Sequence, residues 1–433
     1  MICSHVLHIS ATETDDLTGL YNKDFFFEYA NKIYDEHPKE PMDAIVLNIE
    51  QFQSLNTIIG HGFGERILRE FSTQIRKYLE QTEGIAGHLE TDLFGIYCKH
   101  QEDYNEFFDS LQNTLDNLTV NASVKFRMGV MPYQENSEPS AMFASAKTAC
   151  NMVRKQFKKR LVVFDETVRT RELYEQHLLN DLRRAIENRE FVVYYQPQYD
   201  IQSDTPKLRG AEALVRWKHP TFGIITPSEF IQLFEQNGQI GILDKYVWEE
   251  AFRQTALWQD KYGVPISISV NISRIDVFDT DLVSTLNGLL DKCGLKRESV
   301  NLEITESAYT EDSNNVAQIL NSLNISKYKI EMDDFGTGYS SLSMLSSIHI
   351  DTLKMDGSFI RNIESDEKSV KMVELILNLA KNLKVPVVAE GVETEYQVEM
   401  LKKLGCQFVQ GFYFSPAIPA QEFEDKVIKK MLS

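Results

Sequence analysis

Cysteine, long apolar runs and positive charge are scarce in this chain of 433 residues. Its five cysteines are odd in number, far apart and never in a CxxC pair: Cys3, Cys98, Cys150, Cys293 and Cys406. We therefore expect reduced, mostly buried thiols rather than a disulfide framework or a zinc site. No apolar run approaches the roughly 20 residues that span a bilayer, and Met1 to Ser10 lacks the basic region and long apolar core of a signal peptide. The sequence thus predicts a cytoplasmic protein with no membrane span.

Positive charge is in deficit, because 45 Lys and Arg residues face 64 Asp and Glu residues and the formal net charge is −19. Wrapping duplex nucleic acid needs clustered basic residues, so this balance disfavours a nucleic acid polymer as the partner. An anionic substrate would need a local cation, either a side chain or a metal ion. Hydrophobic residues make up 42% of the chain, which is typical of a globular protein.

Apolar periodicity divides the chain into two halves joined by a charged helix. After an N-terminal tail (1–12), the first half covers 13–166 and is predicted to be a small α/β domain with an antiparallel component. Its helices are predicted near 23–36, 64–80, 103–118 and 139–156, and its strands near 43–49, 85–89, 93–98, 123–130 and 161–164. Glu90-Thr91-Asp92 is typical of a hairpin turn. Residues 167–189 have helical apolar spacing, and we expect them to be both a linker and the first helix of the next domain.

The second half, 190–433, contains eight apolar segments that predict an α/β barrel. They lie at 191–197, 210–216, 266–271, 300–304, 328–333, 352–356, 385–390 and 407–410. After the second, each is separated from the next by enough residues for a helix, which is typical of a (β/α)8 barrel. Residues 198–209 have no helical period, and a parallel crossover usually needs a helix. We therefore predict an irregular (β/α)8 barrel whose first two strands are antiparallel.

Polar residues lie within or at the ends of these strands. They are Glu212, Asn271, Glu303, Asp333, Asp334, Lys354, Asp356, Glu390 and Gln410. The carboxyl ends of barrel strands converge on one mouth, where barrel enzymes place their chemistry. Any single acid there can be a solvated strand end or an ion pair, but several carboxylates together would repel one another without cations. Oxygen ligands suit Mg²⁺ or Mn²⁺, and two such ions about 4 Å apart can hold a phosphodiester and activate water.

Short motifs follow one another in the second half: Tyr195-Gln196-Pro197, Glu212-Ala213-Leu214-Val215-Arg216-Trp217, Val270-Asn271-Ile272-Ser273, Glu303-Ile304-Thr305-Glu306, Asp333 through Ser341, Lys354-Met355-Asp356, Ala389-Glu390-Gly391-Val392-Glu393 and Gln410-Gly411. In this order they resemble the EAL family of cyclic di-GMP phosphodiesterases over roughly 175–430. The resemblance implies metal-dependent hydrolysis of one phosphodiester of cyclic di-GMP, giving linear 5′-pGpG. It also implies a two-metal site for Mg²⁺ or Mn²⁺.

The resemblance assigns the chemistry of that site residue by residue. The positions similar to the main metal ligands are Glu212, Asn271, Glu303 and Asp333. Asp334 resembles a ligand of the second metal. Lys354 is similar to the residue that holds the attacking water or the phosphate, and Glu390 to a general base or metal ligand.

Further positions resemble supporting and substrate-binding residues of the family. Glu306 would anchor the glycine loop that follows Asp334, while Glu393 and Gln410 would support the metal shell. The positions similar to substrate contacts are Gln196, Arg216 and Asp356. The sequence departs from the family where Asp276 replaces a frequent Gln and Gly357 a frequent Arg, but neither change removes a ligand.

The first half resembles a GGDEF domain, the diguanylate cyclase fold, over about 13–166. The matching residues are Asp16-Leu17-Thr18-Gly19-Leu20-Tyr21-Asn22, Asn56, Gly60-His61 and Gly64-Glu65. The family motif falls on Glu90-Thr91-Asp92-Leu93-Phe94, where both glycines that let phosphate approach the backbone are gone. Leu93 replaces an acid, and Asn48 stands where a strand-end metal aspartate belongs. Gln81 and Gly84 replace the product-inhibition motif, so we expect a catalytically inactive domain with a regulatory or structural role.

Three functions follow from these resemblances. The favoured one is a cyclic di-GMP phosphodiesterase, expected to be a homodimer. The alternative is a non-catalytic cyclic di-GMP receptor that signals through a partner, which the intact acids disfavour. A cyclase is disfavoured by Asn48, Thr91 and Leu93, although Asp92, Asn56 and Phe52 leave GTP binding in the first half open.

Overall fold

The computed structural model describes residues 13–118, 124–153, 160–306, 313–336 and 348–432. Several predicted features lie outside the described residues, namely the tail 1–12 with Cys3, positions 123 and 154–156, and residues 337–341 of the glycine loop. The chain divides into two compact units, Met1–Gln176 and His177–Ser433. Their boundary lies within the helix Glu166–Glu187. In the described part of the chain, no helix is both long and apolar enough to cross a membrane.

The first unit is built on a six-stranded sheet. Its strands are β1 (Tyr21–Asn22), β2 (Met42–Ile49), β3 (Gly84–Glu90), β4 (Leu93–Lys99), β5 (Phe126–Met131) and β6 (Leu161–Val163), in the order β1-β3-β4-β2-β5-β6. Its helices are Lys23–Glu36, Phe52–Ile59, His61–Leu79, Asn105–Leu118 and Pro139–Val153. The central strand β2 pairs antiparallel with β4 and β5. The predicted hairpin at Glu90-Thr91-Asp92 is confirmed, because β3 and β4 pair antiparallel across it.

Two short elements of the first unit were not predicted. Strand β1 has two residues, too few to leave a period in the sequence. The helix Phe52–Ile59 follows Gln51, which has a left-handed backbone (φ 54°) and no side-chain capping hydrogen bond. The helix therefore lacks the usual start signal of a capping Ser, Thr, Asp or Asn.

Eight strands close into a barrel in the second unit. The strands of this unit are β7 (Phe191–Asp200), β8 (Lys207–His219), β9 (Gly223–Ile225), β10 (Ser267–Asn271), β11 (Val300–Thr305), β12 (Lys329–Phe335), β13 (Thr352–Met355), β14 (Val387–Ala389), β15 (Phe408–Val409) and β16 (Ile418–Pro419). Strands β8 and β10 to β15 run parallel. Strand β7 closes the ring and is antiparallel to both β8 and β15. The predicted irregular barrel with antiparallel first strands is confirmed.

Helices alternate with the parallel strands. They are Pro227–Gln236, Ile240–Tyr262, Arg274–Val277, Leu282–Cys293, Ser313–Ile325, Gly357–Arg361, Glu367–Leu383 and Glu395–Lys403, followed by Ala420–Phe423, the π-helical turn Glu424–Ile428 and Lys429–Leu432. Strands β7 and β8 run further than predicted, so only 201–206 connect them. Strand β9 extends β8 as a hairpin that was not predicted.

Strand alternation decides which side chains enter the barrel. Successive side chains of a strand point to opposite faces. Leu302 on β11 and Met332 on β12 are fully buried in the hydrophobic core between strands and helices. Their neighbours Glu303 and Asp333 therefore point to the other face, into the barrel interior.

Candidate active site

Lys354 on β13 lies among four carboxylates that come from different strands. Its Nζ lies 2.8 Å from Glu390 Oε1, 3.0 Å from Glu303 Oε1, 3.1 Å from Asp333 Oδ1 and 3.3 Å from Glu212 Oε2. Glu303, Asp333 and Glu212 belong to β11, β12 and β8, and Glu390 follows β14 directly. Strand β8 is separated from β13 by β10, β11 and β12, so Glu212 can reach Lys354 only across the barrel interior.

Burial and mutual repulsion set the ionisation of this cluster. Burial alone would lower the pKa of Lys354, but Glu212, Glu303, Glu390 and Asp333 together raise it well above its ordinary value. Burial, reinforced by Glu212, raises the pKa of Glu303 well above its usual range. Burial also raises the pKa of Glu390 to about 8, against the pull of Lys354. One ammonium is therefore too little positive charge for the four acids.

Two amide side chains orient Glu212. Gln410 Nε2 donates to Glu212 Oε2 at 2.6 Å and to Gln196 Oε1 at 3.1 Å. Asn271 Nδ2 lies 3.4 Å from Glu212 Oε1. Burial works against the ionised form of Glu212, yet Lys354 and Gln410 outweigh it and lower the pKa of Glu212. Glu212 is thus held as a carboxylate.

A second acidic group adjoins the first. Carboxylate oxygens of Asp333, Asp334 and Glu390 lie within 4.8 Å of one another. Asp334 is exposed and has a left-handed backbone (φ 55°), and its N–H donates to Asp333 Oδ1 at 2.9 Å. Burial raises the pKa of Asp334, and the charges of Asp333 and Asp356 add to the effect. Asp333 and Glu390 therefore belong to both groups.

Glu306 holds the start of the glycine loop. Its Oε2 accepts a hydrogen bond of 3.1 Å from the backbone N–H of Gly336. Gly336 has φ 95°, and a Cβ there would lie 2.6 Å from the ring of Phe359, so only glycine fits.

The remaining predicted residues lie in different places. Gln196 joins the cluster through Gln410, and its own Nε2 donates to Ser415 O at 3.2 Å. Arg216 is half-buried, lies 5.7 Å from the ring centroid of Tyr194 and donates to Val215 O at 2.8 Å. Asp356 caps the helix Gly357–Arg361 by accepting from Ser358 N at 2.9 Å. Glu393 is exposed, and among the described residues its side chain makes no hydrogen bond to the acids of the cluster.

The donor set fits divalent metal ions. Glu303 is 1% exposed and its Oε1 forms an ion pair with Lys354, but among the described residues neither of its oxygens accepts a hydrogen bond from an amide, a hydroxyl or a backbone N–H. A buried carboxylate oxygen without a partner is costly unless a cation approaches it. All the candidate ligand atoms are carboxylate or amide oxygens, which Mg²⁺ and Mn²⁺ prefer.

The barrel also contains a deeper polar layer that the sequence did not predict. It contains Gln198, Arg209 and Glu331, and Arg209 donates to both others at 2.7 Å. Glu331 stands two positions before Asp333 on β12, so the alternation of that strand indicates that it shares the same face. Gln198 and Arg209 flank the register shift in the pairing of β7 with β8. The alternation of side chains along the strands therefore does not predict which face these two residues occupy.

The first unit shows a cation beside Asn48. Arg127 Nη2 donates to Asn48 Oδ1 at the end of β2, and Glu50 pairs with Arg160 at 2.7 Å. Leu93, in the position of the missing acid, is buried. A guanidinium next to Asn48 opposes the binding of a metal cation there.

Two family models match the chain. The model described as EAL domain matches residues 179–417, which is more than half of the chain, and the model described as diguanylate cyclase, GGDEF domain, matches residues 12–160. The chain therefore belongs to the EAL domain family and carries a GGDEF domain before its barrel.

Individual proteins are similar over both halves. Cyclic di-GMP phosphodiesterase PdeR of Escherichia coli is 29% identical over 95% of this chain and 62% of its own length. The bifunctional diguanylate cyclase/cyclic di-GMP phosphodiesterase MucR of Pseudomonas aeruginosa is 30% identical over 94% of this chain and 60% of its own. The chain thus spans about three fifths of these curated relatives. The solved c-di-GMP complex of PaMucR phosphodiesterase is 38% identical, with a TM-score of 0.54, over 57% of this chain and 99% of that one.

Proposed function

We propose that this chain hydrolyses cyclic di-GMP to linear 5′-pGpG with divalent metal ions held at the mouth of its barrel. The observation that carries the proposal is the position of Lys354 Nζ, within 3.3 Å of carboxylate oxygens from four residues. The acids outnumber the ammonium at the centre of the cluster, so further positive charge is needed to keep them ionised together. The relatives named as phosphodiesterases support the choice of substrate.

The donor set divides into two neighbouring groups. Glu212, Asn271, Glu303 and Asp333 would hold one Mg²⁺ or Mn²⁺, and Asp334 with Glu390 would hold a second. Bound there, the ions would polarise the phosphodiester and lower the pKa of a bound water.

The protein side chains would bind the substrate and move the proton. In the reaction a water oxygen bonds to phosphorus, one P–O3′ ester bond breaks, and the O3′ atom leaves as a hydroxyl after taking up a proton. Glu390 would receive the proton of the water, since a nearby divalent cation favours its ionised form. Lys354 would donate hydrogen bonds to the water or to a phosphate oxygen. Gln196, Asp356 and the two-pronged guanidinium of Arg216 would contact the dinucleotide.

Incubation of the purified chain with cyclic di-GMP and Mn²⁺, followed by chromatography, tests the proposal. We expect pGpG to accumulate with Mn²⁺ or Mg²⁺ and not with a chelator. Glu212→Ala is expected to abolish turnover, because no neutral side chain replaces a charged ligand. The exposed Glu399 gives a matched control, since Glu399→Ala removes a carboxylate that belongs to neither group of candidate ligands.

The same experiment separates the alternatives. Intact substrate after long incubation with adequate metal contradicts hydrolysis. Tight binding of cyclic di-GMP without turnover would instead support a receptor that signals through a partner. Cleavage that persists in Glu212→Ala would place the chemistry elsewhere.

The GGDEF domain is proposed to be inactive as a cyclase and to act in regulation or structure. Arg127 bonded to Asn48 and the absence of motif glycines support this view. Calorimetric titration with GTP, with and without Mg²⁺, tests a regulatory role: no heat and no change in hydrolysis rate would exclude it.

A homodimer in the cytoplasm stays a prediction, for which sedimentation of the pure chain gives the oligomeric state.

A further inference from the structure

A line of hydrogen bonds leads from Glu212 to the deeper polar layer of the barrel. Gln410 Nε2 donates to Glu212 Oε2 at 2.6 Å, and Gln198 Nε2 donates to Gln410 Oε1 at 2.9 Å. Arg209 Nη1 then donates to Gln198 Oε1 at 2.7 Å. Gln198 and Gln410 are 1% and 4% exposed, so solvent does not readily replace these partners.

The groups at the two ends of this line determine which atom donates and which accepts in each of its hydrogen bonds. A guanidinium can only donate hydrogen bonds, and an ionised carboxylate can only accept them. Arg209 therefore requires the oxygen of Gln198, which turns the NH₂ group of Gln198 toward Gln410. Gln410 must then present its oxygen to Gln198 and its NH₂ group to Glu212. A glutamine amide fits its space almost equally well after a half-turn, so the donor-only end selects one of two orientations.

Arg209 is itself held on several sides. Its Nη2 donates to Glu331 Oε1 at 2.7 Å and to Thr352 Oγ1 at 2.9 Å, and its guanidinium lies 4.4 Å from the ring centroid of Phe408. Glu331 is fully buried, and its second oxygen accepts from Ser269 Oγ at 2.7 Å. These contacts therefore fix the position of the guanidinium, and the carboxylate of Glu331 balances its charge.

We propose that Arg209, Gln198 and Glu331 are positioning residues that hold the amide of Gln410 with its NH₂ group toward Glu212. They thereby set the orientation of that carboxylate for a divalent cation. The inference rests on the metal site of the proposed function. The three residues act only through Gln410, and the structure places them in the layer below the acids around Lys354.

The variant Gln198→Glu gives a test in which two models predict opposite changes in Mn²⁺ affinity. Simple electrostatics predicts tighter Mn²⁺ binding, because the variant adds a negative charge inside the barrel. In the positioning model the new carboxylate accepts hydrogen bonds from both Arg209 and Gln410, so the Gln410 amide turns over and its oxygen faces Glu212. We expect Mn²⁺ affinity, measured from the free ion by electron paramagnetic resonance, to fall about tenfold.

A charge-neutral double variant separates positioning from stability. Arg209→Met alone leaves Glu331 buried without its cation, so the melting temperature is expected to fall strongly. Arg209→Met/Glu331→Met removes both charges, and the melting temperature is expected to recover. The double variant should nevertheless keep an Mn²⁺ affinity weakened about tenfold, because Glu212 alone then selects the orientation of the two amides and Gln198 has lost its donor at the Arg209 end.

Wild-type or tighter Mn²⁺ binding in Gln198→Glu, or wild-type affinity in the double variant, would overturn the inference. A wild-type protein that binds no Mn²⁺ would contradict the proposed function instead. In that case hydrogen exchange of the Gln410 side-chain NH₂ group in metal-free protein decides. The exchange is expected to be faster in the double variant than in the wild type, and equal rates would refute the positioning role.

Discussion

Trp248 donates a hydrogen bond of 2.9 Å from its indole Nε1 to the backbone carbonyl of Asn271. Trp248 is 1% exposed and lies on the helix Ile240–Tyr262, outside the barrel strands. Asp244, one turn earlier on the same helix face, adjoins Asp276 in the segment that follows Asn271. One helix thus contacts both ends of the segment 271–276, which begins with the proposed metal ligand Asn271.

Trp248→Phe is expected to destabilise the fold and weaken metal binding together. The variant leaves the carbonyl of Asn271 without its donor, which costs about 1–3 kcal/mol of unfolding free energy. Trp258→Phe is a matched control, because Trp258 is equally buried and its Nε1 has no hydrogen-bond partner among the described residues. Urea unfolding and Mn²⁺ titration of both variants check the prediction. Equal loss of Mn²⁺ affinity in the two variants would show that the hydrogen bond to Asn271 has no special role.

Asp244→Asn is expected to change how stability depends on pH. Burial raises the pKa of Asp244 well above its ordinary value, and a hydrogen bond from its acid form to Asp276 adds to the shift, as does the charge of Glu235. When the pKa of a carboxyl group is higher in the folded than in the unfolded protein, the group stabilises the fold fully at pH values below its unfolded pKa of about 4. This contribution to the free energy of unfolding is lost as the pH rises through the folded pKa. The asparagine of the variant stays neutral at every pH and so lacks this pH-dependent contribution.

The wild type should therefore lose stability relative to Asp244→Asn as pH rises above about 4. Urea midpoints of the two proteins across this range measure the difference. Asp276→Asn is the companion variant, since removal of the facing charge should flatten the pH dependence. Parallel curves for the wild type and Asp244→Asn would mean that Asp244 is ionised in the folded protein.

Lys354→Met is expected to make stability depend on divalent cations. Without the ammonium, the surrounding acids remain buried and uncompensated, which costs about 3–5 kcal/mol in a chelator. Mg²⁺ should recover much of this loss because it binds only the folded site. Melting curves with and without Mg²⁺ test this, and the exposed Lys329 supplies the control Lys329→Met. A Lys354→Met protein as stable in chelator as the wild type would contradict the charge balance.

Asn48→Asp is not expected to restore cyclase activity. The new carboxylate would pair with Arg127, which already donates to this position, rather than remain open to a metal ion. The turn at Thr91 would still lack the glycine that phosphate needs. Chromatography of a reaction with GTP and Mg²⁺ should show no cyclic product, and its appearance would show that one substitution inactivated the domain.

The sequence alone predicted the acids of the mouth because they follow a simple rule. Glu303 and Asp333 alternate with apolar residues on short strands, and a parallel barrel brings such positions to one end. The missing helix in 198–209 was likewise enough to predict antiparallel first strands. Both inferences need only local periodicity and the general geometry of strands.

The deeper layer depends on which strands face each other across the barrel. Arg209 and Glu331 are 122 positions apart and meet only because the sheet closes. Strand β7, rather than β8, is the reversed strand, which local pattern does not distinguish. The central position of Lys354 among four acids also needs the closed ring, since periodicity places it only on a strand face.

Anomalous diffraction from crystals of the chain soaked in Mn²⁺ would locate the metal ions proposed for the barrel mouth. We expect one anomalous peak shared by Glu212, Asn271, Glu303 and Asp333, and a second beside Asp334 and Glu390. Peaks only at surface sites, with none at the barrel mouth under saturating Mn²⁺, would contradict the proposed metal site.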